Sequence, residues 1–300
     1  MRAAAVVLVL AIGLAGPAQA FEEFQGTRAQ GMGGATRAWA VGDSAPLLNP
    51  SGMPLLKSYT AEASYAYASR HTGQFIHASI VDSTSDAGIA GALYYTFRMD
   101  SPPGLPSGRG HEAGASLAMP IGGRFSLGAT VKYFYLSGAD QGPALSKGGF
   151  TVDAGLTVRP APSLSLAVVG SNLRDLDAGQ APQTVSYGLA FLPTPELVLA
   201  LDGLTSFTRD DYLATRGTGV QGGAEWSLAQ RVALRAGGGT DPMLGVGYLS
   251  AGFSALSEVG AVDVGVRGDL FPIKTGSARN VFLGVSLRLF VQGAAASASP

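Results

Sequence analysis

Between residues 60 and 290 the chain alternates apolar and polar side chains in strict succession, in segment after segment of about ten residues. The clearest copy is Thr151-Val152-Asp153-Ala154-Gly155-Leu156-Thr157-Val158-Arg159. Val152, Ala154, Leu156 and Val158 share one face; Thr151, Asp153, Gly155, Thr157 and Arg159 share the other. Successive side chains of a strand point to opposite faces, so each segment has one apolar side and one wet side. Such a chain folds as a soluble sandwich with the apolar side inward, or as a barrel with the apolar side outward in lipid. The destination of the apolar face is the question the other features must answer.

The N-terminus bears on it first. Met1-Arg2 is a short cationic start, residues 3–14 are apolar, and Ala18-Gln19-Ala20 is a small-x-small cleavage site. This reads as a secretory signal peptide over 1–20, too short to span a bilayer. No later stretch approaches the ~18 consecutive apolar residues of a membrane helix. The chain has no cysteine, which excludes a disulfide scaffold and thiol chemistry. A net charge of −1 argues against nucleic acid as a partner. Glycine, at 43 of 300 residues, is about twice its usual share, while charged residues make up only 14%. That mixture suits a barrel whose outer face meets lipid.

Loop lengths point the same way. Strands are expected near 60–68, 74–81, 88–98, 112–119, 125–136, 150–159, 164–171, 184–191, 197–207, 220–227, 232–239, 244–253, 261–267 and 281–290, about fourteen in all. Most approach the ~9–11 residues that a tilted strand needs to cross a bilayer. Short connections at 120–124, 160–163, 193–196 and 228–231 interleave with longer ones at 99–111, 137–149, 172–183, 208–219 and 268–280; 69–73 and 240–243 are short exceptions. Outer-membrane barrels sort their loops in this way, with short periplasmic turns, long extracellular loops and both termini periplasmic. Aromatics gather at strand ends: Tyr65, Tyr67, Tyr95, Phe97, Tyr133, Tyr135 and Phe207 toward the long loops, and Phe191, Trp226, Phe253 and Phe290 toward the short turns. Two such belts mark the two interfaces of a membrane.

With the apolar face in lipid, the wet face lines the lumen. Its acids are Glu62, Glu112, Asp153, Asp202, Glu225 and Asp263; its bases are Lys132, Arg235, Arg267 and Arg288, with Arg98 and Arg159 near strand ends. The near balance suggests paired networks holding strands and a plug in register, although an ordinary solvated lumen fits it too. Gly114, Gly128, Gly155, Gly188, Gly223, Gly265 and Gly284 share that face. Glycine inside a strand marks close approach of another backbone, or else the curvature that closes a barrel.

The obvious occupant of the lumen is the glycine- and alanine-rich segment 21–56, which lacks the period-2 pattern. It contains Gly31-Met32-Gly33-Gly34-Ala35, then Ala38, Asp43 and Ala45, then Asn49-Pro50-Ser51-Gly52-Met53. Glycines permit tight packing and unusual dihedrals, and Asn-Pro initiates a turn. The run closely resembles the N-terminal signature of FadL/PorV-like outer-membrane proteins, Gly-Met-Gly-Gly-Ala followed by Asn-Pro-Ala-Gly-Leu; Ser51 and Met53 are mild departures. The resemblance implies a fourteen-stranded barrel with an N-terminal plug, serving either passage of long-chain fatty acids or aromatic hydrocarbons, or protein secretion and surface attachment in the PorV/PorQ manner. No loop is rich in large apolar residues, the most apolar being Pro102-Pro103-Gly104-Leu105-Pro106, which favours the second role.

Gly284-Val285-Ser286-Leu287-Arg288-Leu289-Phe290 resembles the final-strand signal read by the barrel-assembly machinery, with Gly284, Leu287, Leu289 and Phe290 carrying the pattern. The small-residue stretch 291–300 is expected to be a disordered periplasmic tail. Catalytic chemistry is thin. The three histidines, His71, His77 and His111, show no metal-ligand spacing, and only His111 with Glu112 near a rim suggests a hydrolase. Asp210 and Asp211 read as a solvated loop. No cofactor, metal or catalytic residue is expected.

The expectation is therefore an all-β transmembrane antiparallel barrel in a Gram-negative outer membrane. Its parts are a signal peptide at 1–20, a plug at 21–56, the barrel at 57–290 and a tail at 291–300. Its partners are outer-membrane lipid, the barrel-assembly machinery, and envelope or secreted proteins. The leading role is a component of surface export, attachment or envelope assembly; the alternative is a plug-gated channel for hydrophobic small molecules such as long-chain fatty acids.

Overall fold

The computed structural model describes residues 24–69, 72–85, 88–101, 107–137, 147–176, 181–207, 217–241, 245–273 and 279–291. Fourteen strands follow in chain order: β1 (Tyr59–Ala68), β2 (Gly73–Asp82), β3 (Ala90–Asp100), β4 (Gly108–Ile121), β5 (Phe125–Ser137), β6 (Lys147–Ala161), β7 (Leu164–Ser171), β8 (Thr184–Thr194), β9 (Leu197–Ser206), β10 (Gly217–Leu228), β11 (Val232–Asp241), β12 (Val246–Leu256), β13 (Gly260–Pro272) and β14 (Val281–Phe290). Each pairs antiparallel with its sequence neighbours, and β1 pairs with β14 from Thr60↔Phe290 to Ala68↔Phe282, closing the barrel. Closure leaves no strand edge unpaired, which lipid demands because it offers no hydrogen bonds.

The apolar face points outward. Leu93 and Leu117 are 64% and 68% exposed, whereas Asp153 and Lys132 are 1% and 2% exposed on the inner wall. A soluble protein has the reverse arrangement. An even strand count brings Tyr59 and Phe290 to one rim. The tight turns at 122–124, 162–163, 195–196, 229–231 and 257–259 lie at that rim together with the 83–89 connection, and the connections after β1, β3, β5, β7, β9, β11 and β13 lie at the other. No helix of the described residues is long and apolar enough to cross a membrane. The signal peptide expected at 1–20 and the tail expected at 291–300 fall outside the described residues, apart from Val291.

Tyr65, Tyr95, Tyr133, Tyr135 and Phe207 are exposed toward the long-loop rim; Phe191, Trp226 and Phe253 are exposed toward the short-turn rim. Phe290 departs from the expected belt. It has the parity of Gly284 and Arg288, lies half-buried, and its ring centre is 5.9 Å from the Arg288 guanidinium. His111 and Glu112 point to opposite faces. His111 joins the outer belt, accepting or donating at Nδ1 to the Tyr95 hydroxyl at 2.7 Å, while Glu112 turns inward to Tyr94. The strands also run further than the turn signals suggest. Pro120, Pro160 and Pro193 fall inside β4, β6 and β8; register irregularities at Val158/Ala161 and Phe191/Thr194 absorb the missing N–H groups of Pro160 and Pro193, while Pro120 pairs in register with Ser126 beside the rim turn.

Residues 24–56 run inside the barrel. They form two short helices, α1 (Thr27–Gly31) and α2 (Ala45–Leu48), and single 3-10 turns at Arg37–Trp39, Gly42–Ser44 and Pro50–Leu55. Helices this short are marginal alone and persist through packing. Ala29, Met32, Ala35, Ala45 and Met53 are fully buried, and so are Ser44, Asn49 and Ser51. A closed barrel predicts heat-modifiable gel mobility: the detergent-folded protein should migrate differently from the boiled one, and identical mobility would contradict the fold.

Candidate functional site

The plug lies close enough to the wall that backbones touch, and glycine makes that possible on both sides. The Met32 carbonyl covers Gly223 of β10 and Gly237 of β11, and Gly31 meets Gly252 of β12 across facing α-carbons. Pro50 and Ser51 cover Gly128, Asn49 covers Gly155, Ala38 covers Gly188, and Thr27 covers Gly265. A β-carbon at any of these wall positions would overlap plug atoms. Gly114 differs: the Tyr94 ring covers it. Within the plug, Gly33 and Gly34 turn the chain at φ of 67° and 78°, a left-handed conformation that side chains resist. Ala35 follows that turn and packs with Met32 against Val198 and Ala200 of β9.

Asn49 fills its hydrogen-bonding capacity inside the barrel. Its Nδ2 donates to the Arg37 carbonyl at 2.7 Å and to Thr157 Oγ1 at 2.9 Å; its Oδ1 accepts from Ser51 N at 3.1 Å and Ser51 Oγ at 2.6 Å. Pro50 then opens the 3-10 turn at a position that needs no N–H donor. The Asn-Pro-Ser run is thus a polar anchor between plug and β6.

Charges form the second set of ties. Arg28 donates to Glu225 of β10 through Nε at 2.9 Å and Nη2 at 2.8 Å. Glu225 also accepts from Arg235 of β11, whose Nη1 lies 3.4 Å from Asp263 of β13. Asp263 accepts from Arg288 of β14 at 2.7 Å, and Arg288 Nη1 returns to the plug at Asp43, 3.4 Å away. Separately, Asp202 of β9 accepts from the Arg37 backbone N–H at 2.9 Å and its Nη1 at 3.3 Å. Burial pushes the Asp43 carboxyl up, but the Arg288 guanidinium, with Arg28 behind it, outweighs this and holds it below the ordinary carboxylate value.

The ten charged residues of the expected wet face all lie on the inner wall, Glu62 among them, its Oε1 accepting from the Ser64 hydroxyl. Asp202, Glu225 and Arg288 reach the plug, and Arg235 and Asp263 link the latter two. The others pair within the wall: Lys132 Nζ with Asp153 at 2.9 Å, Glu112 with the Tyr94 hydroxyl at 2.7 Å, and Arg267 with Asp241 and Asp269 at 3.3 Å each. Sequence reasoning missed the plug's own cations, Arg28 and Arg37. Two arginines inside a run of small residues were the available signal.

Above this polar zone, toward the long-loop rim, the lumen turns aromatic. Phe24 stacks on Phe75 with ring centres 6.0 Å apart, and Phe75 meets Phe282 at 5.6 Å. His77, 1% exposed, lies between the Phe24 and Tyr94 rings at 5.1 and 5.9 Å. A recess lined by Phe24, Phe75, Phe134 and Leu136 has about 30 Å³ of free volume, and one beside Phe24, Tyr248 and Phe282 about 20 Å³. A water needs ~10–15 Å³, so each admits a water or two and neither holds a hydrocarbon as built. Among the described residues, no three His, Asp or Glu side chains converge as a metal site.

The fold has counterparts among solved structures. The CymD monoaromatic hydrocarbon channel aligns with a TM-score of 0.70 at 15% identity, covering 89% of this chain and 97% of that one. The toluene transporter TbuX of Ralstonia pickettii gives 0.64 at 13% identity, over 91% and 98%. A FadL homologue from Pseudomonas aeruginosa gives 0.65 at 13%, over 91% and 99%. At these identities the likeness is one of fold, that of FadL-type outer-membrane barrels. No protein-family model matches the sequence, nor does any curated protein. The finer PorV/PorQ subtype gains no support from these neighbours.

The glycine contacts make a paired prediction. Gly155→Val places a side chain on Asn49, whereas Gly203→Val meets open space on the barrel. Overpacking costs ~1–3 kcal/mol, about 5- to 150-fold in the docking equilibrium. The plug residue Trp39, observed by fluorescence in a Trp226→Phe background, should therefore undock at lower temperature in Gly155→Val and at an unchanged temperature in Gly203→Val.

Proposed function

We propose that this protein is a plugged outer-membrane channel that admits hydrophobic small molecules of aromatic or acyl character. One observation carries the reading: an inward-facing aromatic zone, Phe24, Phe75, Phe134 and Phe282, sits above a polar, salt-bridged plug zone and includes a plug residue. An apolar molecule arriving from the long-loop rim gains by burying its surface there, at ~25 cal/mol per Å². The free volume is too small to take it unless a side chain leaves. Phe24 is the occupant attached to the plug, so ligand and plug compete for one site. Binding would then shift the plug toward release, by as much as the ligand favours the vacated site.

The names of the structural neighbours, a monoaromatic hydrocarbon channel and a toluene transporter, point to the same ligand class. The export and attachment role rests on the N-terminal motif and on the scarcity of large apolar residues in the loops, and no surface among the described residues favours it. The remaining assignments belong to the same proposal: lipid around the outer face, insertion by the barrel-assembly machinery through Gly284, Leu287, Leu289 and Phe290, and the short-turn rim in the periplasm. In β14, Leu287 and Leu289 face lipid while Gly284 and Phe290 face inward.

Uptake tests the proposal. A Gram-negative host without a barrel of this fold, expressing the protein, should accumulate labelled toluene or oleate several-fold faster than cells carrying an empty vector. Replacing Phe75 and Phe134 by Asp should remove most of the gain while leaving heat-modifiable folding intact. Uptake equal to the vector control, together with stable recovery of envelope proteins on the barrel, would instead support the export role.

A further inference from the structure

Charges do not balance where the plug meets β1. The contact chain from Arg28 through Glu225, Arg235, Asp263 and Arg288 to Asp43 takes in one more group, Glu62, the cross-strand partner of Arg288; Glu62 Oε2 and Asp43 Oδ1 are both buried without a hydrogen-bond partner. Three guanidiniums, Arg28, Arg235 and Arg288, thus face four carboxyls, Glu225, Asp263, Asp43 and Glu62. Both members of the carboxyl pair are buried, Asp43 3% and Glu62 5% exposed. Carboxylate oxygens only accept, so the unpartnered oxygens of this buried pair gain a donor only if one of the two carboxyls carries a proton.

The surroundings indicate which oxygen holds it. Arg288 approaches Asp43, whereas Glu62 Oε1 accepts only the Ser64 hydroxyl and Glu62 Oε2 has no partner. The other groups facing the pair are Asp263 on β13, Arg288 on β14, Thr60 and Ser64 on β1, Ser79 and His77 on β2, and Arg28 on the plug. Of these, His77 could supply a positive charge. Its Nδ1 lies 2.8 Å from the Thr96 hydroxyl, its Nε2 has no partner, and aromatic rings flank it, surroundings that suit a neutral imidazole.

We propose that Glu62 and Asp43 form a buried site that binds one proton, and that this proton locks the plug against β1. The docked plug carries the proton; with the plug released, both carboxyls face water and give it up at neutral pH. The docked state therefore binds more protons, and docking weakens as pH rises. One coupled proton moves the released-to-docked ratio at most tenfold per pH unit, beginning above the ordinary glutamate value of ~4.3. The site makes plug position sensitive to acidity whatever molecule passes through the barrel.

The test uses the full chain in detergent micelles, with Trp226→Phe leaving Trp39 as the reporter. Acrylamide quenching of Trp39 should increase from pH 5 to pH 9, following a released fraction that grows up to tenfold per pH unit. Glu62→Gln and Asp43→Asn should each flatten the profile, and His77→Gln should retain it. A flat parent profile, an unchanged slope in both carboxyl variants, or a slope abolished by His77→Gln would overturn the proposal. So would a response to sodium in place of choline that replaces the pH response, since the missing charge would then be a metal cation. Failure of both carboxyl variants to assemble counts against it as well, because the docked state already contains one neutral carboxyl there.

Discussion

The interior depends on one constraint: charges removed from water must find one another across the gap between plug and wall. An unpaired buried ion costs several kcal/mol, and removing one partner of a buried pair typically costs ~3–5 kcal/mol. The series Arg28–Glu225–Arg235–Asp263–Arg288–Asp43 meets that constraint by leaving the plug at β10, passing across the wall to β14, and returning to the plug at another point. Each wall arginine contacts two carboxylates, so no single bridge acts alone. Buried pairs of this kind add little net stability compared with apolar contacts, but they penalise every misplaced register. They position the plug more than they glue it.

The glycines have the complementary role. Ion pairs reach across several ångströms, whereas the track along Gly128, Gly155, Gly188, Gly223, Gly237 and Gly265 lets the plug backbone lie on the wall. Without that proximity the guanidiniums of Arg28 and Arg37 could not span to Glu225 and Asp202. The aromatic zone near Phe24 begins where this track ends, so polar closure and apolar recess are adjacent parts of one lumen. A hydrophobic ligand that displaces Phe24 acts on the end of the plug farthest in sequence from Asn49, its most fully hydrogen-bonded residue.

Much of this was legible in the alternating pattern because parity is a local property. Val152 outward and Asp153 inward follow from neighbouring positions alone, and the same rule placed Lys132, Glu225 and Arg288 on the wall. Partner choice is not local. Arg28 and Glu225 are separated by 197 positions and Arg37 and Asp202 by 165, so no spacing rule joins them. Proline misled at Pro120, Pro160 and Pro193, because a rim strand tolerates a lost N–H that a turn signal assumes is breaking the ladder. Height along the strand places Phe290 in the aromatic belt, but its parity with Arg288 turns it inward. The export role was inferred from loops poor in apolar residues, while the aromatic recess is assembled from Phe24, Phe75, Phe134 and Phe282, which only the closed barrel brings together.

The central claim is that salt-bridged contacts hold the plug in place and close the lumen. Single-channel conductance across a planar bilayer tests it most directly. The parent protein should add no current to that of the bare membrane, and a variant combining Glu225→Ala with Asp202→Ala, which strips Arg28 and Arg37 of their carboxylates, should show discrete open steps. Steady conduction by the parent, or a variant that inserts and stays silent, would contradict the account.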